Sequence, residues 1–158
     1  MTNPVDKVNN VQNFERAKGK TEVIQVLFSA SVAVEEGSLV YPNPAAAGQY
    51  TKADATAGWN FGVIRQTIAA TDSNYASTKT VSIEVPRDNN VEFYFTVWAG
   101  TFTQADEGKY VDLNNEKTIA VDTSTKKVFF ITKYVSATRG KGILAWNLGS
   151  WEALPVTS

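Results

Sequence analysis

The chain has 158 residues and a mass of 17.2 kDa, a size that suits one domain with a core large enough to need no covalent staple. It has no cysteine and no histidine, which excludes disulfides, thiol nucleophiles, thiolate- or imidazole-held metals and Ser-His-Asp chemistry. The net charge is −1, so no global field favours nucleic acid or an anionic membrane. The start lacks a basic segment followed by an apolar one, and no run of apolar residues is long enough to cross a membrane as a helix. The expectation is a soluble, single-domain β protein that is not an enzyme and needs no cofactor.

Residues 1–20 are polar and rich in Asn and Lys. Val5, Val8, Val11 and Phe14 recur at every third position. On an α-helix this spacing wraps around the cylinder, whereas an extended arm with three residues per turn puts all four on one edge. The segment reads as a flexible N-terminal arm, either a simple tail or one that orders against a partner.

The character changes at Thr21. Residues 21–34 alternate loosely, with Val23, Leu27, Val32 and Val34 as inward positions. Glu35-Glu36-Gly37-Ser38 is a turn signal, and Leu39-Val40-Tyr41 a short strand stopped by Pro42 and Pro44. Residues 42–60, rich in Ala, Gly, Thr and Pro, read as one long loop of the kind that often carries function. Residues 61–68 read as a strand.

The clearest strands follow. Val81, Ile83 and Val85 alternate with polar neighbours over 80–86, and Val91, Phe93, Phe95 and Val97 do so over 91–98. Arg87-Asp88-Asn89-Asn90 between them reads as a hairpin loop, so the two strands are expected to pair. A second hairpin is expected between Val111-Asp112-Leu113 and Ile119-Ala120-Val121. Residues 128–135 form a strong strand. Gly140 and Gly142 read as breaks before a last strand over 143–148. With roughly eight to ten short strands and no amphipathic helix, the fold class is all-β, a sandwich or barrel.

No constellation of side chains marks a reaction. The acids between Asp106 and Asp112 lack EF-hand spacing, and Asp106-Glu107-Gly108 is turn chemistry, with Asp accepting from backbone donors and Gly taking positive φ. Gly140-Lys141-Gly142 has Val135 where a phosphate loop needs Gly. Any chain with 16 acids offers carboxylate pairs, so a glycosidase pair has no specific signal. Charge is uneven: residues 101–122 carry a net −3 and residues 123–158 a net +4, patches that could match between subunits or simply be solvated.

The aromatic residues carry the interaction argument. Trp98 alternates out of phase with Val97, so it lies beside Tyr94 on the face opposite the apolar row. Trp59 sits in the long loop and Trp151 near the C-terminus, and Trp146 reads as core. Trp59, Tyr94, Trp98 and Trp151 are therefore candidate subunit-interface residues, because large rigid rings bury much area at low entropy cost. For Trp98 and Tyr94 a place in a core shared by both faces stays open.

Several segments together resemble a known family. Val34-Glu35-Glu36-Gly37-Ser38-Leu39-Val40 looks like an x-x-G-D-L-V opening, and Phe61-Gly62-Val63-Ile64 like a following G-V strand. Val81 to Pro86 with Val91-Glu92-Phe93, the block from Ala99 through Gly108 to Leu113, and Val121 to Gly140 continue the match. Over about residues 30–145 the chain resembles the capsid decoration, or cement, proteins of tailed bacteriophages. It departs from them at Ser38, where Asp is frequent, and at Glu107, where Val is common.

The resemblance implies a β-sandwich or β-tulip domain over 21–158 and no catalytic, cofactor or metal residues. It implies a virion protein on the outer surface of the capsid, homotrimeric, that clamps neighbouring major capsid proteins and contacts neither nucleic acid nor membrane. It also implies an N-terminal arm that pairs with a capsid strand or crosses to another subunit. The row Val5, Val8, Val11 and Phe14 is assigned to that interface, so removal of 1–20 is expected to leave the fold intact and weaken capsid attachment. The alternative is a virion-borne carbohydrate- or receptor-binding β module that displays loop aromatics such as Trp59 and Tyr50.

Overall fold

A computed structural model describes residues 14–56, 62–88 and 90–144. Eleven strands and one 3₁₀ turn form there, with no α-helix among the described residues. They are β1 (Glu15–Lys18), β2 (Thr21–Phe28), β3 (Leu39–Pro42), β4 (Tyr50–Lys52), β5 (Gly62–Ile64), β6 (Lys79–Pro86), β7 (Glu92–Ala99), the turn Gln104–Asp106, β8 (Tyr110–Leu113), β9 (Thr118–Ala120), β10 (Phe129–Ser136) and β11 (Arg139–Leu144). The protein is all-β.

Two sheets divide the strands. β2, β4, β3, β5 and β6 close into a small barrel, and the second sheet runs β1-β7-β11-β10-β8-β9 with an added parallel pairing of β9 to β7. That pairing closes β7-β11-β10-β8-β9 on itself, with β1 along the first half of β7 and β9 along the second, so both sheets curl around a core and leave few free edges. β6 pairs with β2 and β5 rather than with β7. The loop after Pro86 therefore crosses between sheets and does not make the expected hairpin. The β8–β9 hairpin is as expected, with Asp112 opposite Ala120 and Leu113 opposite Ile119.

The first core holds Phe28, Val34, Val40, Ile64, Ile68, Val81, Ile83 and Val85. The second is built around Phe93, Phe95, Phe102, Phe129 and Ile131, and also takes in Leu39, Ala53 and Val63. Leu39 and Val63 thus serve the second core while their neighbours Val40 and Ile64 serve the first. β3 and β5 are buried on both faces, which is why they read as short apolar runs without alternation. The two halves are also tied through the backbone, where the Leu39 N–H donates to the Glu116 carbonyl (2.9 Å).

Three sequence expectations need correction here. In β2 the inward set is Ile24, Val26 and Phe28, because Ile24 lies opposite Ile83 and Val26 opposite Val81. Val23 and Leu27 face solvent. The long loop over 42–60 contains β4, which pairs with β3 and meets Phe28 of β2. Gly140 and Gly142 lie inside β11 and break nothing. A Cβ on Gly140 would sit 2.7 Å from Phe95 Cζ, and one on Gly142 would sit 2.6 Å from Phe129 Cδ1. The strand needs glycine there because the rings of the core lie directly on its backbone.

The N-terminal boundary also differs. Phe14 is 1% exposed and belongs to the second core, its N–H donates to the Gly37 carbonyl (2.8 Å), and β1 pairs with β7. The folded unit begins at or before Phe14, not at Thr21. Val5, Val8 and Val11 lie outside the described residues.

Candidate functional site

The outer face of β7 presents Tyr94, Thr96 and Trp98, since Phe93, Phe95 and Val97 point into the core. Trp98 is 67% exposed, the most exposed large apolar side chain among the described residues. This settles its position on the outside, whereas Tyr94 is half-buried. β11 runs alongside, with Arg139 opposite Thr96 and Lys141 opposite Tyr94. β10 follows, with Lys133 opposite Lys141.

The centre of this face is rigid. Arg139 Nη2 donates to Glu15 Oε1 (3.0 Å), and Nη1 donates to Thr96 Oγ1 (3.3 Å). Its Cζ lies 5.0 Å from the centre of the Tyr94 ring, and Lys141 Nζ lies 5.8 Å from it. Both distances suit cation–π attraction. Burial pulls the Arg139 guanidinium below its usual value, and Glu15 and the Tyr94 hydroxyl oppose that shift. An arginine side chain stays charged in proteins, so Arg139 remains a cation at neutral pH. Glu15 of β1 is thus the counter-ion that fixes Arg139, and Lys18 pairs with Glu92 farther along the same strand pair (3.2 Å).

The lysines are not balanced in this way. Lys133 and Lys141 face each other across the β10–β11 ladder and neither has a carboxylate partner among the described residues. Like charges directly opposite in a sheet are unfavourable. Val135 on β10 is a further exposed apolar residue. An exposed Trp, a locked Tyr–Arg pair and two uncompensated lysines make a surface suited to a partner that brings carboxylates and a flat apolar contact.

Of the residues singled out from sequence, Tyr94 and Trp98 share this face. Phe14 does not belong to any interface of this kind, because its ring stacks on Phe129 in the core. Tyr50 packs against the first core instead of standing out on a loop. Trp59, Trp146 and Trp151 lie outside the described residues. Sequence reasoning counted Arg139, Lys141 and Lys133 in the net-positive stretch 123–158 but did not place them on one face with Tyr94 and Trp98. The signal was the period-two run Arg139-Gly140-Lys141-Gly142, with cations on one face and glycines under aromatic rings on the other.

The acidic turn behaves as expected. Asp106 accepts the Thr103 N–H (2.9 Å) and pairs with Lys109 (3.0 Å), and Gly108 takes φ +87°. Glu107 accepts the Tyr134 N–H (2.8 Å), which fastens the turn to β10.

No protein-family model matches the chain, and a search of the curated proteins finds no match.

Proposed function

We propose that the protein is a structural component of a tailed-phage virion that binds the outer surface of the capsid and stabilises the head by clamping neighbouring major capsid proteins. The observation that carries this reading is Trp98, 67% exposed on a sheet face whose neighbours are locked by hydrogen bonds and ion pairs. A rigid exposed ring on a face that also carries uncompensated cations, at Lys141 and Lys133, is the composition of an interface anchor. The strand-and-turn blocks from Val34 to Gly140, which resemble those of decoration proteins, support the same reading. The proposal includes a homotrimer, with no enzymatic step.

Repetition makes such a role physically economical. Many copies around a shell act together, so each contact can be modest. The test is to titrate the purified protein onto expanded heads assembled without it and to sediment the heads. Saturable binding with a whole-number copy count per capsomer is expected. Protein that stays in the supernatant at every concentration overturns the reading. Light scattering in parallel is expected to give a mass three times that of the chain.

A further inference from the structure

An open cavity of about 470 Å³ lies between the start of β8 and the loop that leads from β9 to β10. It is bordered by Lys109, Tyr110, Asp122, Thr123, Ser124 and Lys127, and Asp122 lies against Gly100, just past the end of β7. Its size falls in the range of small-ligand sites, roughly 300–1,000 Å³.

The loop that forms one wall is held in place before any ligand arrives. Asp112, itself buried on β8, accepts the N–H groups of Thr125, Lys126 and Lys127 at 2.9, 2.8 and 2.8 Å. The Asp112 N–H donates back to the Thr123 carbonyl (3.1 Å), and the Val128 N–H donates to the Val111 carbonyl (2.8 Å). This wrapping puts Lys127 at φ 55°, the left-handed region that most side chains avoid and that Gly or Asn takes more easily. A lysine there is conformationally unfavourable, and its side chain borders the cavity.

The charges at the rim divide by partner. Lys109 is neutralised by Asp106 (3.0 Å). Lys127 and Asp122 have no ion-pair partner among the described residues, and the hydroxyls of Thr123 and Ser124 make no side-chain hydrogen bond there. Tyr110 is half-open to solvent, and its ring is steadied by Phe130 at 5.1 Å. The cavity therefore offers one free cation, one free carboxylate acceptor, two free hydroxyls and one flat ring.

We propose that this cavity binds an acidic saccharide of disaccharide size. The sugar carboxylate meets Lys127, ring hydroxyls meet Asp122, Thr123 and Ser124, and a ring face lies on Tyr110. A phosphate ion has no use for the Tyr110 face or for Asp122, which would repel it. An acidic peptide such as tri-glutamate brings carboxylates for Lys127 but no hydroxyl to donate to Asp122, whereas a sugar hydroxyl donates to a carboxylate. The assignment does not depend on the capsid role, because it rests on the groups that border the cavity and not on Trp98.

The test follows backbone amide resonances of the full chain during titration with digalacturonate, its neutral counterpart galactobiose, inorganic phosphate and a tri-glutamate peptide. Saturable shifts at Tyr110 and residues 122–127 with digalacturonate, at least tenfold weaker with galactobiose, are expected. Lys127→Asn is the decisive variant, because Asn accepts the left-handed backbone and leaves the loop intact. It is expected to keep or raise the melting temperature while weakening digalacturonate binding at least tenfold. Absence of saturable shifts, equal binding by Lys127→Asn, or binding of phosphate or tri-glutamate as tight as that of digalacturonate would each overturn the proposal.

Discussion

Phe14 stacks on Phe129 with ring centroids 5.5 Å apart and planes 27° from parallel. Phe129 in turn meets Phe95 edge-on at 5.5 Å, so a residue that precedes the first strand completes the aromatic centre of the second core. Phe14→Ala is expected to cost about 3–5 kcal/mol, the usual loss for truncating a buried Phe. Removal of residues 1–20 is expected to destabilise the fold at least as much, since it also takes away β1, the Glu15–Arg139 pair and the Arg16–Glu84 pair. Urea unfolding followed by Trp fluorescence measures both. A truncated chain as stable as the full one would show that β1 contributes nothing to the core.

Gly142 supports the same centre from the other side. A methyl group there would meet Phe129 Cδ1 and the Phe130 carbonyl oxygen, both at 2.6 Å, and the backbone atom has nowhere to go. Gly142→Ala is expected to destabilise by about 1–3 kcal/mol through overpacking, read as a lower denaturant midpoint at unchanged slope. Gly108→Ala is the control for a glycine required by its backbone alone, because nothing lies within 4 Å of its Cβ position while φ is +87°.

How much of this was readable in the sequence depends on whether a strand has one face or two. β6 and β7 alternate cleanly, so their inward rows and the outward position of Trp98 followed from Val97 and its partners. β2 carries apolar residues on both faces, and the row containing Phe28 prevails because it meets Ile83 and Val81 across the ladder. β3 and β5 touch both cores, which no period can express. The Arg139–Lys141 face stayed hidden because Gly140 and Gly142 look like breaks until the rings of Phe95 and Phe129 are seen to lie over them. Phe14 was assigned to an arm because its spacing matched three valines, whereas its partner Phe129 is far away in sequence.

Ser38 is fully buried, and its hydroxyl has no hydrogen-bond partner among the described residues. Its backbone is engaged, with its N–H donating to the Glu35 carbonyl (3.1 Å) and its carbonyl accepting the Ile64 N–H (2.9 Å). Ser38→Ala removes only the unsatisfied group. The variant is expected to gain up to about 1 kcal/mol, or roughly 2–4 °C in melting temperature for a chain of this size. A clear loss in a thermal melt would mean that the hydroxyl is satisfied in solution.

Asp106 gives the stability a defined acid limb. The Thr103 N–H, first, and then Lys109 hold its carboxyl below the usual value of 3.8, against the opposing effect of burial. A carboxyl whose value is lowered by folding stabilises the native state above its unfolded value. That contribution is lost as pH falls through the folded value. Asp106→Asn is therefore expected to be less stable than the native chain by about 1 kcal/mol at pH 7, with the gap shrinking below about pH 4. Unfolding free energies of both proteins between pH 7 and pH 2 measure the gap, and a difference independent of pH would contradict the assignment.

The central claim is that the molecule attaches to the capsid through the face that carries Trp98. Affinity for undecorated heads, compared between the native protein and Trp98→Ser, tests it most directly. An exposed residue of this kind can be replaced with little effect on folding, so equal melting temperatures are expected. Binding is expected to weaken about 30-fold or more, the loss typical of a tryptophan hot spot. Undiminished binding by Trp98→Ser, with the fold intact, would contradict the account.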